Sequence, residues 1–310
     1  DSNEPKLSLH PEDIWPEGKD IETLQAELTP LFSTNFTREQ WLIGMPDGSQ
    51  VEVAFDQGFV ESGELQEPIC EVELELKSGQ TDALFTLSRQ FCEQGGMRLG
   101  NLSKAAKGYR LAQGYQGDEV TPLTLVDTSK SDTVESCFIQ SLEHALAHWH
   151  YHEQIFTERQ SIEALHEISH SLSFIRQTFT IYGGIVPRRA SAILRQELKW
   201  LEQELDWLKI YDHFEDLLED KGHVLRKLDA RKFLVAELKE MQDQLPDRED
   251  LLTLLSSARY TGLLLDLSRW ILSRGWQPFL DEKAREQMAR GIEWFSVQQL
   301  DRTWADLMEA

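Results

Sequence analysis

Basic residues are scarce in this chain. Against 54 Asp and Glu there are 31 Lys and Arg, a net charge of -23 over 310 residues. A general nucleic-acid binder needs clustered cations to neutralise phosphates, so that class is excluded, and any anion site has to be a local cluster in an acidic surround. Cysteine is scarcer still. The three present, Cys70, Cys92 and Cys137, fall at no metal-ligating spacing and read as the reduced thiols of a cytoplasmic protein. No apolar run approaches the roughly 20 residues of a membrane span, and no secretory leader is visible, which points away from a membrane partner. An initiator Met is also missing: the chain opens Asp1-Ser2-Asn3-Glu4-Pro5, as a piece cut from a longer chain would.

What is present is a chain with 40% hydrophobic residues, too long for one ordinary core and read as two domains. After a short helical pattern over 20–31, Phe36 to Ile43 and Val51 to Asp56 read as strands around the turn Pro46-Asp47-Gly48. Residues 58–68 read as a loop. The stretch Cys70-Glu71-Val72-Glu73-Leu74-Glu75-Leu76 then alternates apolar and acidic side chains. On a strand this places Glu71, Glu73 and Glu75 on one face and the apolar residues on the other. Such a row of carboxylates is either a solvated outer face or the acidic wall of a metal site.

A helix follows over 82–94, expected to cover one side of the sheet and stopped by Gly95-Gly96. Beyond it lies the densest basic stretch of this half, Leu102-Ser103-Lys104-Ala105-Ala106-Lys107-Gly108-Tyr109-Arg110. Lys104 and Lys107 are one helical turn apart and aim the same way. Taken alone, this is a solvated turn. Taken with the acidic strand, it supplies what a triphosphate site requires: carboxylates for a divalent cation and ammonium or guanidinium groups for phosphate oxygens.

Four segments occur here in one order: Phe36-Thr37-Arg38-Glu39-Gln40-Trp41, Phe55-Asp56-Gln57-Gly58, the triple-Glu strand, and Leu102 to Tyr109. In this the chain resembles the CYTH family of triphosphate tunnel metalloenzymes, and within it the bacterial inorganic triphosphatases that carry a second, helical CHAD domain. The resemblance implies a tunnel of antiparallel strands lined by acids and bases. In it Arg38, Lys104 and Lys107 bind the substrate, and Glu71, Glu73 and Glu75 hold Mg²⁺ or Mn²⁺. Asp56 is a further carboxylate of the metal and water site, which makes Asp56 and Lys104 the catalytic pair. The Glu-x-Glu-x-Lys strand that opens such domains is missing from residues 1–35, so the chain is expected to begin partway through the tunnel domain. The activity of the chain as written is then in doubt.

Residues 116–130 read as a linker, and from Thr133 on only helical periodicity remains. Val134, Phe138, Ala145 and Trp149 mark one helix, and Ile162 through Phe179 a second, ended by Gly183-Gly184. The run from Arg188 to about Asp220 reads as one helix on the order of 50 Å long. Further patterns fall at 230–242, 248–274 and 282–308. His144, His148 and His152 share a helix face, as do His166 and His170; without a His-Glu-x-x-His pattern they read as a polar or anion-facing stripe. The region resembles the CHAD domain, which implies polyphosphate binding with His166, Arg176, Arg188 and Arg189 as candidates. Ser169, Ser173 and Phe174 stand where further cations would fall, and Arg195 and Lys199 extend a substitute cluster.

The expected fold is therefore α+β. An antiparallel sheet, an incomplete tunnel barrel over 1–115, is followed by an all-α bundle over 131–310. The expected function is metal-dependent hydrolysis of inorganic triphosphate. Two alternatives stand beside it: an adenylyl cyclase or a nucleoside or thiamine triphosphatase of the same family, and a non-catalytic module that binds long-chain polyphosphate or a protein partner.

Overall fold

The structure is a computed structural model of the chain. It describes residues 6–11, 14–15, 18, 20–115, 117–130, 132–209, 211, 224–228, 233–242 and 245–309. After the short helix α1 (Ile21–Glu27), three strands form an antiparallel sheet in the order β1 (Ser33–Gly44), β2 (Gln50–Ser62), β3 (Leu65–Ser78). The β1 to β2 turn forms as its residues dictate: Gly48 donates to the Met45 carbonyl at 2.9 Å with φ at 86°.

The loop expected over 58–68 is instead mostly strand. β2 runs on to Ser62, β3 starts at Leu65, and the reversal takes only Gly63 and Glu64, with Gly63 at φ 59°. Two facts explain the extension. Val60 and Ile69 are buried, and Gly58 lets β1 close in: a Cβ there would stand 2.2 Å from the Asn35 carbonyl oxygen and 2.4 Å from the Phe36 Cα. The apolar face expected of β3 is only partly covered, with Val72, Leu74 and Leu76 half-buried and Cys70 exposed.

The helices are α2 (Asp82–Cys92), α3 (Lys104–Ala112), α4 (Val134–Arg159), α5 (Ile162–Ile181), α6 (Ala192–Glu204), α7 (Val224–Leu228), α8 (Phe233–Gln242), α9 (Arg248–Leu255), α10 (Ala258–Leu272), α11 (Glu282–Ala289) and α12 (Ile292–Glu309). Two compact units emerge. One comprises Asp1–Trp41, Val53–Glu73 and Leu102–Gln116; the other comprises Leu42–Glu52, Leu74–Asn101 and Gly117–Ala310.

In the second unit α4 and α5 pair over the apolar stripes read from sequence, with Phe138, Trp149, Leu172 and Ile175 fully buried. Thr133 caps α4 through a reciprocal pair with Ser136. The helix α2 packs against α10, joined by a two-pronged ion pair from Arg269 to Asp82 at 2.5 and 2.6 Å. The single long helix expected from Arg188 is broken. A 3₁₀ turn over Arg188–Ser191 leads into α6, which ends at Glu204. There Leu208 donates back to Leu205 at 3.0 Å, so that both leucines bury. The rest of that expected helix, 212–220, and the start of the 230–242 pattern lie outside the described residues.

The stretch expected to be a linker is fastened to the bundle. His144 donates to the Thr124 carbonyl at 2.9 Å, Leu123 N–H donates to Glu167 at 3.0 Å, and Tyr151 Oη donates to the Glu119 carbonyl at 3.0 Å. Buried His152 accepts from Thr121 N–H through Nε2 at 3.2 Å while its Nδ1 donates to the His148 carbonyl at 2.8 Å. A carbonyl only accepts and a backbone N–H only donates, so the tautomer follows. The histidine stripe thus meets backbone through His144, His148 and His152, and the Glu167 carboxylate through His148 at 3.4 Å and His170 at 3.2 Å. Among the described residues no helix is long and apolar enough to cross a membrane.

Candidate functional site

Strand alternation assembles a cluster within the first unit. Arg38 comes from β1, Asp56 from β2, Glu71 and Glu73 from β3, and Lys104 is the first residue of α3. Ser103 caps α3 by accepting from Ala106 N–H at 3.1 Å, which fixes where Lys104 starts. A lysine at a helix N-terminus faces the positive end of the helix dipole, so its position depends on the carboxylates opposite.

Those carboxylates converge on it. Lys104 Nζ lies 2.6 Å from Asp56 Oδ2 and 2.7 Å from Glu73 Oε1, and is also paired with Glu71. Arg38 clamps fully buried Asp56 through Nε at 2.6 Å and Nη2 at 2.5 Å, and Nη2 reaches Glu73 at 2.5 Å. Lys107 stands further back, 3.8 Å from Glu71 and 3.9 Å from Glu67.

The electrostatics follow from these partners. Hydrogen bonds from Arg38 pull the Asp56 carboxyl down to about 2, against the burial that works the other way, and Lys104 adds to the pull. Burial opposes the charge on Lys104, yet hydrogen bonds to Asp56, Glu71 and Glu73 overcome it and raise its pKa. The Asp56 carboxylate likewise holds Arg38 above its ordinary range. Asp56, Lys104 and Arg38 are all charged at neutral pH.

Oxygen atoms of Asp56, Glu71 and Glu73 lie within 4.8 Å of one another. Such a set of hard oxygen donors suits Mg²⁺ or Mn²⁺, and Lys104 Nζ already marks a point where a cation is held by all three. Glu75, placed with them from sequence, pairs with Lys77, two residues on and on the same strand face, at 3.1 Å, and Lys77 also pairs with Glu52 at 3.1 Å.

Two residues of the cluster were not singled out from sequence. The Phe36 ring lies under both cations, 5.1 Å from Lys104 Nζ and 5.6 Å from Arg38 Cζ. Its i, i+2 relation to Arg38 was the available signal. Glu67, parsed into a loop, belongs to β3 and extends the acidic row at 67, 71 and 73.

In the second unit, half-buried His166 sits on α5, and Arg176 of α5 pairs with Glu202 of α6. Arg188, Arg189 and Lys199 are exposed. Arg195 donates to the Phe179 carbonyl at 2.7 Å and to Ser191 Oγ at 2.9 Å; burial, then the nearby Arg188 and Arg176, lower its pKa.

The fold and site define a protein in which a sheet bearing an acid and base cluster precedes a helical bundle. The chain belongs to the CHAD domain family, whose model matches residues 140–310, and a CYTH domain model matches residues 2–109. An inorganic triphosphatase of Haemophilus influenzae is 43% identical over 84 residues, which make up 27% of this chain and 24% of that protein. The match thus spans about a quarter of that relative's length. The likeness is to a protein named an inorganic triphosphatase, in a chain whose first part matches the CYTH domain.

Proposed function

We propose that this chain is part of a metal-dependent triphosphatase that hydrolyses inorganic tripolyphosphate. The observation that carries the reading is the convergence of Asp56, Glu71 and Glu73 on Lys104 Nζ, with Arg38 clamped beside it. Glu71 and Glu73, with Asp56, are the groups to hold Mg²⁺ or Mn²⁺. When bound, such an ion neutralises phosphate charge and polarises the phosphoanhydride bond.

The chain's own residues do the rest. Arg38 presents a planar fork matched to two phosphate oxygens, while Lys104 and Lys107 act as point charges one turn apart. Asp56, fully buried and charged at neutral pH, orients both cations by accepting from Arg38 and Lys104. Their joint effect is positioning and charge stabilisation, the two terms that dominate phosphoryl transfer.

The phosphate site falls in the segment read from sequence as 1–115 and the bundle in 131–310, with 116–130 between them. In the bundle, exposed Arg188 and Arg189 are the groups open to long-chain polyphosphate.

The test is phosphate release from tripolyphosphate, ATP and thiamine triphosphate by this chain with Mg²⁺ or Mn²⁺, and by its Glu71→Gln variant. Release from tripolyphosphate above the other two, lost in the variant, is expected. No turnover of tripolyphosphate sinks the reading. Faster turnover of ATP moves it to the nucleotide branch.

A further inference from the structure

The carboxylates of this cluster are asked to do two things at once. Asp56, Glu71 and Glu73 hold Lys104, Asp56 and Glu73 hold Arg38, and the same oxygens are the donors for a divalent cation. A carboxylate lone pair given to a metal is withdrawn from an ammonium, so a loaded site would leave both cations short of partners. The Phe36 ring is the one contact of both cations, among the described residues, that a metal does not compete for, at 5.1 Å from Lys104 Nζ and 5.6 Å from Arg38 Cζ. Both distances are within the range at which a ring face attracts a cation.

We infer that Phe36 is a positioning residue for the phosphate-binding cations: its ring keeps Lys104 and Arg38 at the site while the carboxylates serve the metal. The inference rests on the triphosphatase reading above. Three features of the structure support it. Phe36 and Arg38 are two apart on β1, so ring and guanidinium leave the same strand face. The ring's backbone is seated against Gly58, where any side chain would meet the Phe36 Cα at 2.4 Å and Cβ at 2.6 Å. And Lys104 is mostly buried, its side chain 12% exposed, which is where ring and cation attract most strongly because water competes least.

The ring does not touch the reacting atoms in this account, so its loss should weaken substrate binding far more than turnover of bound substrate. Three forms of the chain test it: wild type, Phe36→Leu, and a protein with stepwise fluorinated phenylalanine at position 36. Fluorination keeps the ring's shape while draining the negative charge from its face. The probe is inorganic tripolyphosphate, titrated calorimetrically with Mg²⁺ present, with kcat and KM measured alongside. The expected result is a loss of affinity of about tenfold in Phe36→Leu, a graded loss along the fluorine series, and a rise in KM with kcat nearly kept. Equal affinity across the fluorine series overturns the inference, even if Phe36→Leu is unstable. A wild-type protein that binds tripolyphosphate while Phe36→Leu binds equally well overturns the Phe36 role and leaves the triphosphatase reading standing. A wild-type protein that neither binds nor hydrolyses tripolyphosphate removes both.

Discussion

Substituting Glu153 by Gln should remove a pH dependence that the wild-type bundle carries. Glu153 sits on α4 at 4% exposure, where its carboxyl accepts from Tyr260 Oη at 2.9 Å, and Tyr260 in turn accepts from Trp149 Nε1 at 2.7 Å. Burial raises the carboxyl from 4.5 to about 7, against the hydrogen bond from Tyr260 and the charge of Arg98, which pull it down. A folded-state pKa above the unfolded value means that the folded chain keeps a proton that the unfolded chain has released. Stability from this group is therefore complete below about 4.5 and is lost as pH rises through about 7. Each pH unit in that window is worth about 1.4 kcal/mol, so the loss amounts to about 3 kcal/mol. The amide of Glu153→Gln keeps an oxygen for Tyr260 and has no charge to bury. Urea unfolding of both proteins, followed by the helical circular dichroism signal across this range, isolates the group. The difference between them should move by about 3 kcal/mol in favour of the variant as pH rises. A difference that stays constant with pH would refute the reasoning, because it would mean that the carboxyl is ionised in the folded protein throughout.

Two further substitutions probe the positioning of the site and of the segment beside the bundle. Glycine inside a helix ordinarily costs about 1 kcal/mol relative to alanine, but a Cβ at Gly108 would lie 2.1 Å from the Phe32 ring, which packs edge-on against Tyr109. Gly108→Ala should therefore lower stability by about 1–3 kcal/mol and, by shifting α3, weaken tripolyphosphate binding through Lys104. A gain in melting temperature would contradict the contact. His152→Leu leaves Thr121 N–H without its acceptor, which should cost about 1–3 kcal/mol and speed hydrogen exchange at residues 119–124. Unchanged exchange there would show that the imidazole does not fasten this stretch.

Much of the site was readable because a strand has period 2 and the acids respect it. Glu71 and Glu73 fall on one face whatever the rest of the chain does, and Arg38 and Asp56 fall opposite them once the Pro46-Asp47-Gly48 turn is recognised. Glu75 obeys the same alternation yet is captured by Lys77, a competition that spacing alone does not rank. The apolar stripes of α4 and α5 were equally plain. What escaped the sequence depends on partners far along the chain. The reach of β2 and β3 past residue 58 turns on burial of Val60 and Ile69. The apolar stripe of α2 says that it must be covered, not that α10 covers it. The periodicity at 194, 198, 201, 205 and 208 continues unbroken through the turn that interrupts the helix, because a 3₁₀ step also returns Leu208 to the buried side. The histidines read as a polar or anion-facing stripe because spacing at four residues serves any shared partner, and here the partners are the backbone at 121 and 124 and the Glu167 carboxylate.

The charge balance of the cluster explains why cations, metal and substrate belong to one reading. Asp56, Glu71 and Glu73 face Arg38, Lys104 and Lys107, so the group is close to neutral as folded. A neutral, internally paired site has little to offer a polyanion: each phosphate oxygen that took Lys104 or Arg38 would strand a carboxylate beside it, and burying Asp56 without a partner would be costly. The penalty disappears only when positive charge arrives with the substrate and takes the carboxylates over. Carboxylates that pair with each other's cations in the absence of ligand, and that are also close enough together to share a metal, are arranged for that exchange. A solvated acidic face would need neither the burial of Asp56 nor the convergence of its neighbours on a single ammonium. On the triphosphatase reading proposed above, Glu71 and Glu73 of β3 are one half of a partner exchange whose other half is Arg38 and Lys104.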